Sequence, residues 1–373
     1  MRVGFDARWY NDSGVGVYVA GLLRALTERR QDFDLVVYED PRNPVPGLAV
    51  NVVERIQLAA RKYSLAEQWE LKRHCQKDGL DVFHSPFYVM PLRAPCPVVV
   101  TVHDLIPFLF HIDPWPKQAM VKLGYRLAVS RAAQTIAVSQ NTASDLRRML
   151  KVNPERITVV HNAANVSSFH ARLQPSESEH LATKYGLRPP YVVLGSAHNW
   201  RTKNLPGALK AVEIAREKSR LNFQTVVYGP EEGLRRAERE IGRSLPNLVT
   251  TGYIAPEELG IFFRNAHALI MPSLYEGFGL PVLEAMSCGC AVITSTGGSL
   301  PEVAGNGAQI FAPSDINGMA QAVASLLLDP AELCRWRERA LVRAADFSWS
   351  NAAEQTVSVY HRARRRNEGA DQK

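Results

Sequence analysis

The sequence predicts an α/β protein made of two doubly wound, Rossmann-like domains, and three observations carry the prediction. Short apolar, β-branched runs alternate with helix-like segments along the chain. The runs are apolar on both faces, as strands of a parallel sheet covered by helices on both sides must be. The rhythm breaks once, between about Asn165 and Pro190, in a chain of 373 residues. That length exceeds the roughly 100–200 residues of one typical domain.

The expected strands of the first half are Val3–Phe5, Leu35–Tyr38, Val50–Val53, Val82–His84, Val98–Val102, Thr135–Val138 and Thr158–Val160. Those of the second half are Tyr191–Gly195, Gln224–Tyr228, Leu248–Thr251, Ala268–Met271, Ala291–Thr294 and Ala308–Phe311. At the break the chain turns polar, with Gln174-Pro-Ser-Glu-Ser-Glu179, and Arg188-Pro-Pro190 precedes a fresh apolar strand. These boundaries predict an acceptor-side domain over 1–168, a linker over 169–189 and a second domain over 190–346. Residues 347–373 read as a capped C-terminal helix with a basic tail, Ser348 or Ser350 serving as N-cap and Arg362–Arg366 as a solvated run.

Composition narrows the function classes. Hydrophobic residues make up 46% and charged residues 22%, as in an ordinary globular protein. Forty-four Lys and Arg against 37 Asp and Glu give +7, a diffuse excess that suits a polyphosphate ligand or an anionic surface better than nucleic acid. Five scattered cysteines without a CxxC pair point to structural thiols, with no disulfide framework or metal site. The opening Met1–Arg8 reads as a first strand and lacks the apolar core of a secretory signal. A cytoplasmic location, at the inner face of a membrane, is expected.

The densest chemistry follows strand Ala268–Met271. Glu276-Gly-Phe-Gly-Leu-Pro-Val-Leu-Glu284 runs from a loop into a helix, with Pro281 suited to its first turn and Gly289 to its stop. Gly277 and Gly279 let backbone approach a ligand and present N–H groups beside a helix N-terminus, a geometry that favours phosphate. Glu276 and Glu284 can each accept hydrogen bonds from vicinal hydroxyls. Taken alone, the pair reads equally as a solvated loop residue and a dipole-favoured helix residue.

After strand Tyr191–Gly195 come Arg201-Thr-Lys203-Asn204, two cations at a strand's carboxyl end that can neutralise a diphosphate without a metal. After the first strand, Asn11-Asp-Ser-Gly14-Val-Gly16 is a glycine turn leading into an expected helix Val19–Leu26. It lacks the full G-x-G-x-x-G and its acidic partner, which counts against a dinucleotide enzyme. His103 and Asp104 follow Val98–Val102; an imidazole at a strand's carboxyl end can bind a substrate or be structural, and Asp104 can orient the loop or His103. Asp32-Phe-Asp34 reads as a strand entry and not as a metal–diphosphate motif. Aromatics and cations mix over Phe108–Trp115 and over the stretch with Lys117, Lys122, Arg126 and Arg131. Packing in the first domain is the preferred reading there, and contact with anionic lipid the second.

The string from Glu276 to Glu284 resembles the E-x7-E signature of retaining GT-B glycosyltransferases of family 4, and Glu284–Thr294 is similar to that family's continuation. The resemblance covers nearly the whole chain. It implies two Rossmann-like domains facing across a deep cleft, with a C-terminal helix after the second. It implies that Glu276 binds donor-sugar hydroxyls, that Glu284 binds the ribose, and that Arg201 and Lys203 meet the diphosphate. His103 is implied at the reacting centre. The resemblance further implies donor contacts from Gly14, Gly16, Ser139, Asn162, Ile254, Gly277, Phe278, Gly279 and Leu280. The partners it implies are a nucleoside-diphosphate sugar and a lipid-linked or oligosaccharide acceptor, with no cofactor, no metal and no nucleic acid. A sugar phosphorylase, a nucleotide-sugar epimerase or an idle sugar-nucleotide-binding subunit are the rival readings.

Overall fold

The computed structural model describes residues 1–28, 33–48, 53–111 and 113–370. The chain forms two compact units, Met1–Ala163 with Ser348–Lys373, and Ala164–Phe347.

The first unit holds a seven-stranded sheet: β1 Arg2–Asp6, β2 Asp34–Glu39, β3 Val53–Gln57, β4 Val82–Ser85, β5 Val98–Val102, β6 Gln134–Ala137 and β7 Ile157–Val159. Its order is β3-β2-β1-β4-β5-β6-β7, with every pairing parallel. Alternate side chains serve opposite faces, the period-2 consequence of a pleated strand. Val3, Phe5, Leu35 and Val37 enter one core cluster. Val36, Tyr38, Phe83 and Val100 enter the other. The edge strand β3 starts where the expected run Val50–Val53 ends, and residues 50–52 lie outside the described residues. It carries Glu54 and Arg55, as edge strands tend to, so a search for apolar runs reads past it.

The second unit holds β8 Tyr191–Ser196, β9 Gln224–Tyr228, β10 Leu248–Thr250, β11 Ala268–Met271, β12 Ala291–Ser295 and β13 Gln309–Phe311. Their order is β10-β9-β8-β11-β12-β13, again all parallel. In each sheet the strand order reverses at one place, between β1 and β4 and between β8 and β11. Ligands of open parallel sheets bind outside the carboxyl ends of the strands at such a point.

Two expectations about domain limits change. The stretch expected as a linker builds part of the second unit: the helix Pro175–Tyr185 places Glu177, buried, against the guanidinium of Arg264 at 2.7 Å. Arg264 also donates to the Ser168 carbonyl at 3.1 Å. The polar sequence that reads as a linker is thus a buried ion pair. The C-terminal helix Trp349–Ala370 follows the second unit in sequence and packs in the first. Trp349 lies on Gly21 so closely that any Cβ there would strike the indole ring. Ala353, Val359, Tyr360 and Ala363 join the first unit's core. The basic run is only partly solvated, since Arg362 donates to the Thr158 hydroxyl at 2.8 Å. Ser348 is the N-cap, accepting from the Asn351 N–H at 3.1 Å. Among the described residues no helix is long and apolar enough to cross a membrane.

Candidate active site

In the second unit, β8 leads through Ala197–Asn204 and β11 through Pro272–Gly279, so the two loops leave neighbouring strands at the reversal point. They are tied together. The Leu274 N–H donates to the Thr202 carbonyl at 2.7 Å, and Lys203 Nζ donates to Glu276 Oε1 at 2.6 Å. Only about a fifth of the lysine side chain and a tenth of the glutamate side chain are exposed (21% and 10%). The Glu276 backbone is held from a third loop: its carbonyl accepts from the Ser299 N–H at 3.0 Å and the Ser299 hydroxyl at 3.1 Å. Gly297 and Gly298 make that contact possible, because a Cβ on either would collide with the backbone of residues 273–276.

Glu284 stands on the helix Leu280–Ser287, one turn in, and is buried. Burial pushes its carboxyl up to about 7, against the opposing pull of Lys203. The Tyr228 hydroxyl, at the end of β9, is buried with no hydrogen-bond partner among the described residues. Burial raises its pKa, and the negative charges of Glu284 and Glu276 raise it further. The Ser273 hydroxyl is likewise buried without a partner among those residues. A cation paired with one carboxylate and acting on a second, with nearby buried hydroxyls that have unused hydrogen-bonding capacity, suits a ligand that brings both anionic and hydroxyl groups.

In the first unit, His103 follows β5. Its Nε2 lies 2.8 Å from the Pro86 carbonyl, and a carbonyl only accepts, so Nε2 carries the proton. Burial lowers the imidazole to about 4, so it is neutral near pH 7 and Nδ1 offers a lone pair. The Tyr18 ring meets it edge-on at 5.0 Å. Behind it, a buried hydrogen-bond chain runs from Tyr18 through Thr101 (2.8 Å) to His84 (2.9 Å) and on to Tyr360 (2.7 Å). This chain fastens the C-terminal helix to the strand that positions His103.

Comparison with known proteins adds to this geometry. Residues 13–168 match the family described as Glycosyltransferase Family 4, and residues 177–343 match Glycosyl transferases group 1. The chain belongs to the family 4 glycosyltransferases. It is 27% identical over 378 residues to the O-antigen chain mannosyltransferase B of Escherichia coli, covering 94% of this chain and 96% of that one. Its fold is GT-B. A sucrose-phosphate synthase from Thermosynechococcus elongatus shares it with a TM-score of 0.74 and 19% identity, over 97% of this chain and 98% of that one. Anabaena HepE, in complex with UDP and glucose, does so with a TM-score of 0.72 and 16% identity, over 96% and 98%.

The structure of the glycosyltransferase brings Lys203, Glu276 and Glu284 together and leaves other expected residues elsewhere. The Arg201 guanidinium lies over the Trp200 ring, 5.1 Å from its centroid, on an exposed side chain. The Phe278 ring packs edge-on against Phe347 at 5.8 Å. Gly277 and Gly279 are buried; Gly279 takes φ +97 as the helix N-cap, where a Cβ would come within 2.7 Å of Leu300, and Leu280 opens the helix. Ile254 is almost buried in the loop after β10, whose Gly252 carbonyl accepts from Gly229 at 2.7 Å.

The glycine turn of the first unit is corrected. The helix begins at Ser13 and not near Val19, so Gly14 and Gly16 lie in its first turn. Gly16 is pressed against the Tyr10 carbonyl, whereas Gly14 faces open space. Ser139 serves as a helix cap: it is fully buried and accepts from the Thr142 N–H at 3.0 Å. Asn162 is buried, and its Oδ1 has no partner among the described residues. Asp104 accepts from the Ile106 N–H at 2.9 Å, an orienting role. Four cysteines are buried free thiols and Cys334 is an exposed one. Sequence reading passed over Tyr228 and the Thr296–Ser299 loop; the available signals were a tyrosine beside Gly229 at a strand's end and the Gly-Gly after β12.

Proposed function

We propose that the chain is a retaining, metal-independent transferase that moves a hexosyl unit from a nucleoside-diphosphate sugar to an acceptor hydroxyl. The supporting observation is the Lys203–Glu276 pair at the reversal point of the second sheet, with Glu284 buried close by and its carboxyl raised to about 7. In this reading the ammonium of Lys203 meets the diphosphate, with the N-terminus of the helix Leu280–Ser287 beside it. Arg201 joins it by leaving Trp200. Glu276 accepts from hydroxyls of the sugar, Glu284 from the ribose, and neutral His103 accepts a sugar hydroxyl at Nδ1. The departing phosphate takes the acceptor proton on the face it has left, so the anomeric configuration is kept and neither glutamate acts as a covalent nucleophile.

The O-antigen mannosyltransferase relative makes a mannosyl donor and a growing surface polysaccharide or lipid-linked acceptor the first substrates to try. Such an acceptor would place the enzyme in the cytoplasm, at the inner face of the membrane. Proton NMR of the product formed in EDTA tests the reading. Retention of the donor's anomeric configuration at an undiminished rate is expected; inversion, or a requirement for divalent metal, would overturn it.

A further inference from the structure

The carboxyl end of the first sheet carries a group of aromatic side chains that donor binding does not use. Trp9 follows β1, Tyr63 lies in the segment after β3, Phe87 and Tyr88 follow β4, and His103 follows β5. Their rings form a closed circuit. Trp9 meets Tyr63 at 5.7 Å, Tyr63 meets Tyr88 at 6.4 Å, Tyr88 meets Phe87 at 4.4 Å, and Phe87 returns to Trp9 at 4.8 Å. Phe87 also meets the His103 imidazole at 6.3 Å, so the circuit is continuous with the group that takes a sugar hydroxyl in the proposed function.

The circuit opens to solvent at one corner. Trp9 is buried, Phe87 and Tyr88 are half-buried, and Tyr63 is 60% exposed. Tyr63 is held there against its own preference. Its φ of +67 is left-handed, a region that a bulky residue rarely enters. A buried network maintains it: the Tyr63 N–H donates to Glu67 at 2.7 Å, Glu67 pairs with Arg8 at 2.7 Å, and Arg8 pairs with Asp6 at the end of β1 at 2.6 Å. The Tyr63 hydroxyl is hydrogen-bonded to Tyr88, whose ring stacks on Tyr125 at 4.2 Å. A surface tyrosine with no task needs none of this support, whereas a rigid binding platform does.

The polar groups around the circuit narrow what it can hold. Lys62 Nζ lies over the Trp9 ring, 4.3 Å from its centroid, and donates to Asp12 at 2.5 Å. The Asp12 side chain is 43% exposed. The Trp9 indole N–H is buried with no acceptor among the described residues, which leaves a donor for a ligand oxygen. Asp6, Asp12 and Glu67 stand against Arg8 and Lys62, so the carboxylates of this cluster outnumber its cations and an anionic group gains nothing there. A neutral pyranose meets every condition. Its C–H face is apolar and lies flat on an aromatic ring, and its hydroxyls both donate to Asp12 and accept from Lys62.

We propose that Tyr63, backed by Trp9 and Phe87, is the platform for a neutral pyranose ring of the acceptor. The acceptor is then a saccharide recognised through its sugar rings and not through a phosphate. This rests on the transferase reading and adds the class of acceptor to it.

The test is saturation-transfer NMR of the full chain with neutral oligosaccharides (α-linked mannobiose and mannotriose, and maltotriose) beside mannose 6-phosphate and inositol 1-phosphate. At least one neutral oligosaccharide should bind through its ring C–H protons, and neither phosphate should bind more tightly. Tyr63→Gly removes the ring without leaving a Cβ in left-handed backbone, so the variant should fold, as circular dichroism checks. It should weaken the saccharide about tenfold, the loss of one stacked ring, and leave calorimetric binding of GDP-mannose or UDP-glucose unchanged. Tyr63→Phe should restore most of the loss. In transfer assays with the same saccharide the effect should fall on the acceptor's KM and not on kcat. Absence of saccharide binding, binding that ignores Tyr63→Gly, or a preference for the phosphates overturns the proposal. Saccharide binding controlled by Tyr63 in a chain that binds no nucleotide sugar would overturn the proposed function while leaving the saccharide site in place.

Discussion

The two units share the strand order 3-2-1-4-5-6 in their own counts, to which the first adds a seventh strand at the edge, yet the residues at their strand ends differ in charge. At the strand ends of the first unit burial lowers His103 to about 4 and His84 to about 3, so both imidazoles are neutral near pH 7. At those of the second unit Lys203 pairs with Glu276, while burial holds the Glu284 carboxyl at about 7. The fold therefore does not dictate the chemistry; the residues at the strand ends do. The signs of the pH response differ accordingly. A histidine held below its ordinary pKa stabilises the fold above pH 6.5, and that contribution is lost as pH falls through 6.5 toward about 4. Glu284, held above its ordinary 4.5, contributes fully below that pH and less as pH rises to about 7.

The comparison can be broken at several points. Glu177→Ala should have the largest effect. It strands the Arg264 guanidinium in the second unit's interior, and chemical denaturation should read a loss of about 3–5 kcal/mol, with the first unit's transition unmoved. Lys203→Ala should leave the fold intact, by circular dichroism, and lower kcat/KM by on the order of 100- to 1000-fold. An equal effect from His103→Ala would erase the claimed difference between the units.

Glu284→Gln probes the pH sign directly. It should flatten the fall in stability between pH 4.5 and 7 and raise the ligand-free chain's stability at pH 8 by up to about 3 kcal/mol, the equivalent of the shift from 4.5 to about 7. Thermal melts across that range in the wild type and the variant check it; parallel curves would mean that Glu284 carries no such burden. The smallest effect belongs to Tyr360→Phe, which removes one partner of His84 in the first unit and should cost about 1 kcal/mol. Donor binding should be unchanged, since the lost hydrogen bond lies outside the unit that holds Lys203.

Much of this was legible in the sequence, for a physical reason. Strands buried on both faces must be apolar throughout, and runs such as Val98–Val102, Gln224–Tyr228 and Ala268–Met271 coincide with β5, β9 and β11. The elements that escaped depend on partners far away in the chain. Nothing local to Trp349–Ala370 says that its partner is Gly21, and nothing in Glu177 announces Arg264, 87 residues later. The site divides in the same way. Glu276 and Glu284 stand out as a string, whereas Tyr228 looks like any strand residue until its hydroxyl is found buried and unpaired among the described residues. Ser139, a polar residue at a strand end, could cap a helix or touch a ligand on sequence alone, and its hydroxyl caps the helix Gln140–Leu150.

The most direct measurement is calorimetric titration of nucleoside-diphosphate sugars, GDP-mannose and UDP-glucose among them, into the wild type and Lys203→Ala in the presence of EDTA. Wild-type binding of at least one donor, weakened tenfold or more by the substitution, is the predicted result. A donor that binds the two proteins equally, or that binds only when divalent metal is restored, would contradict the assignment of the diphosphate to Lys203.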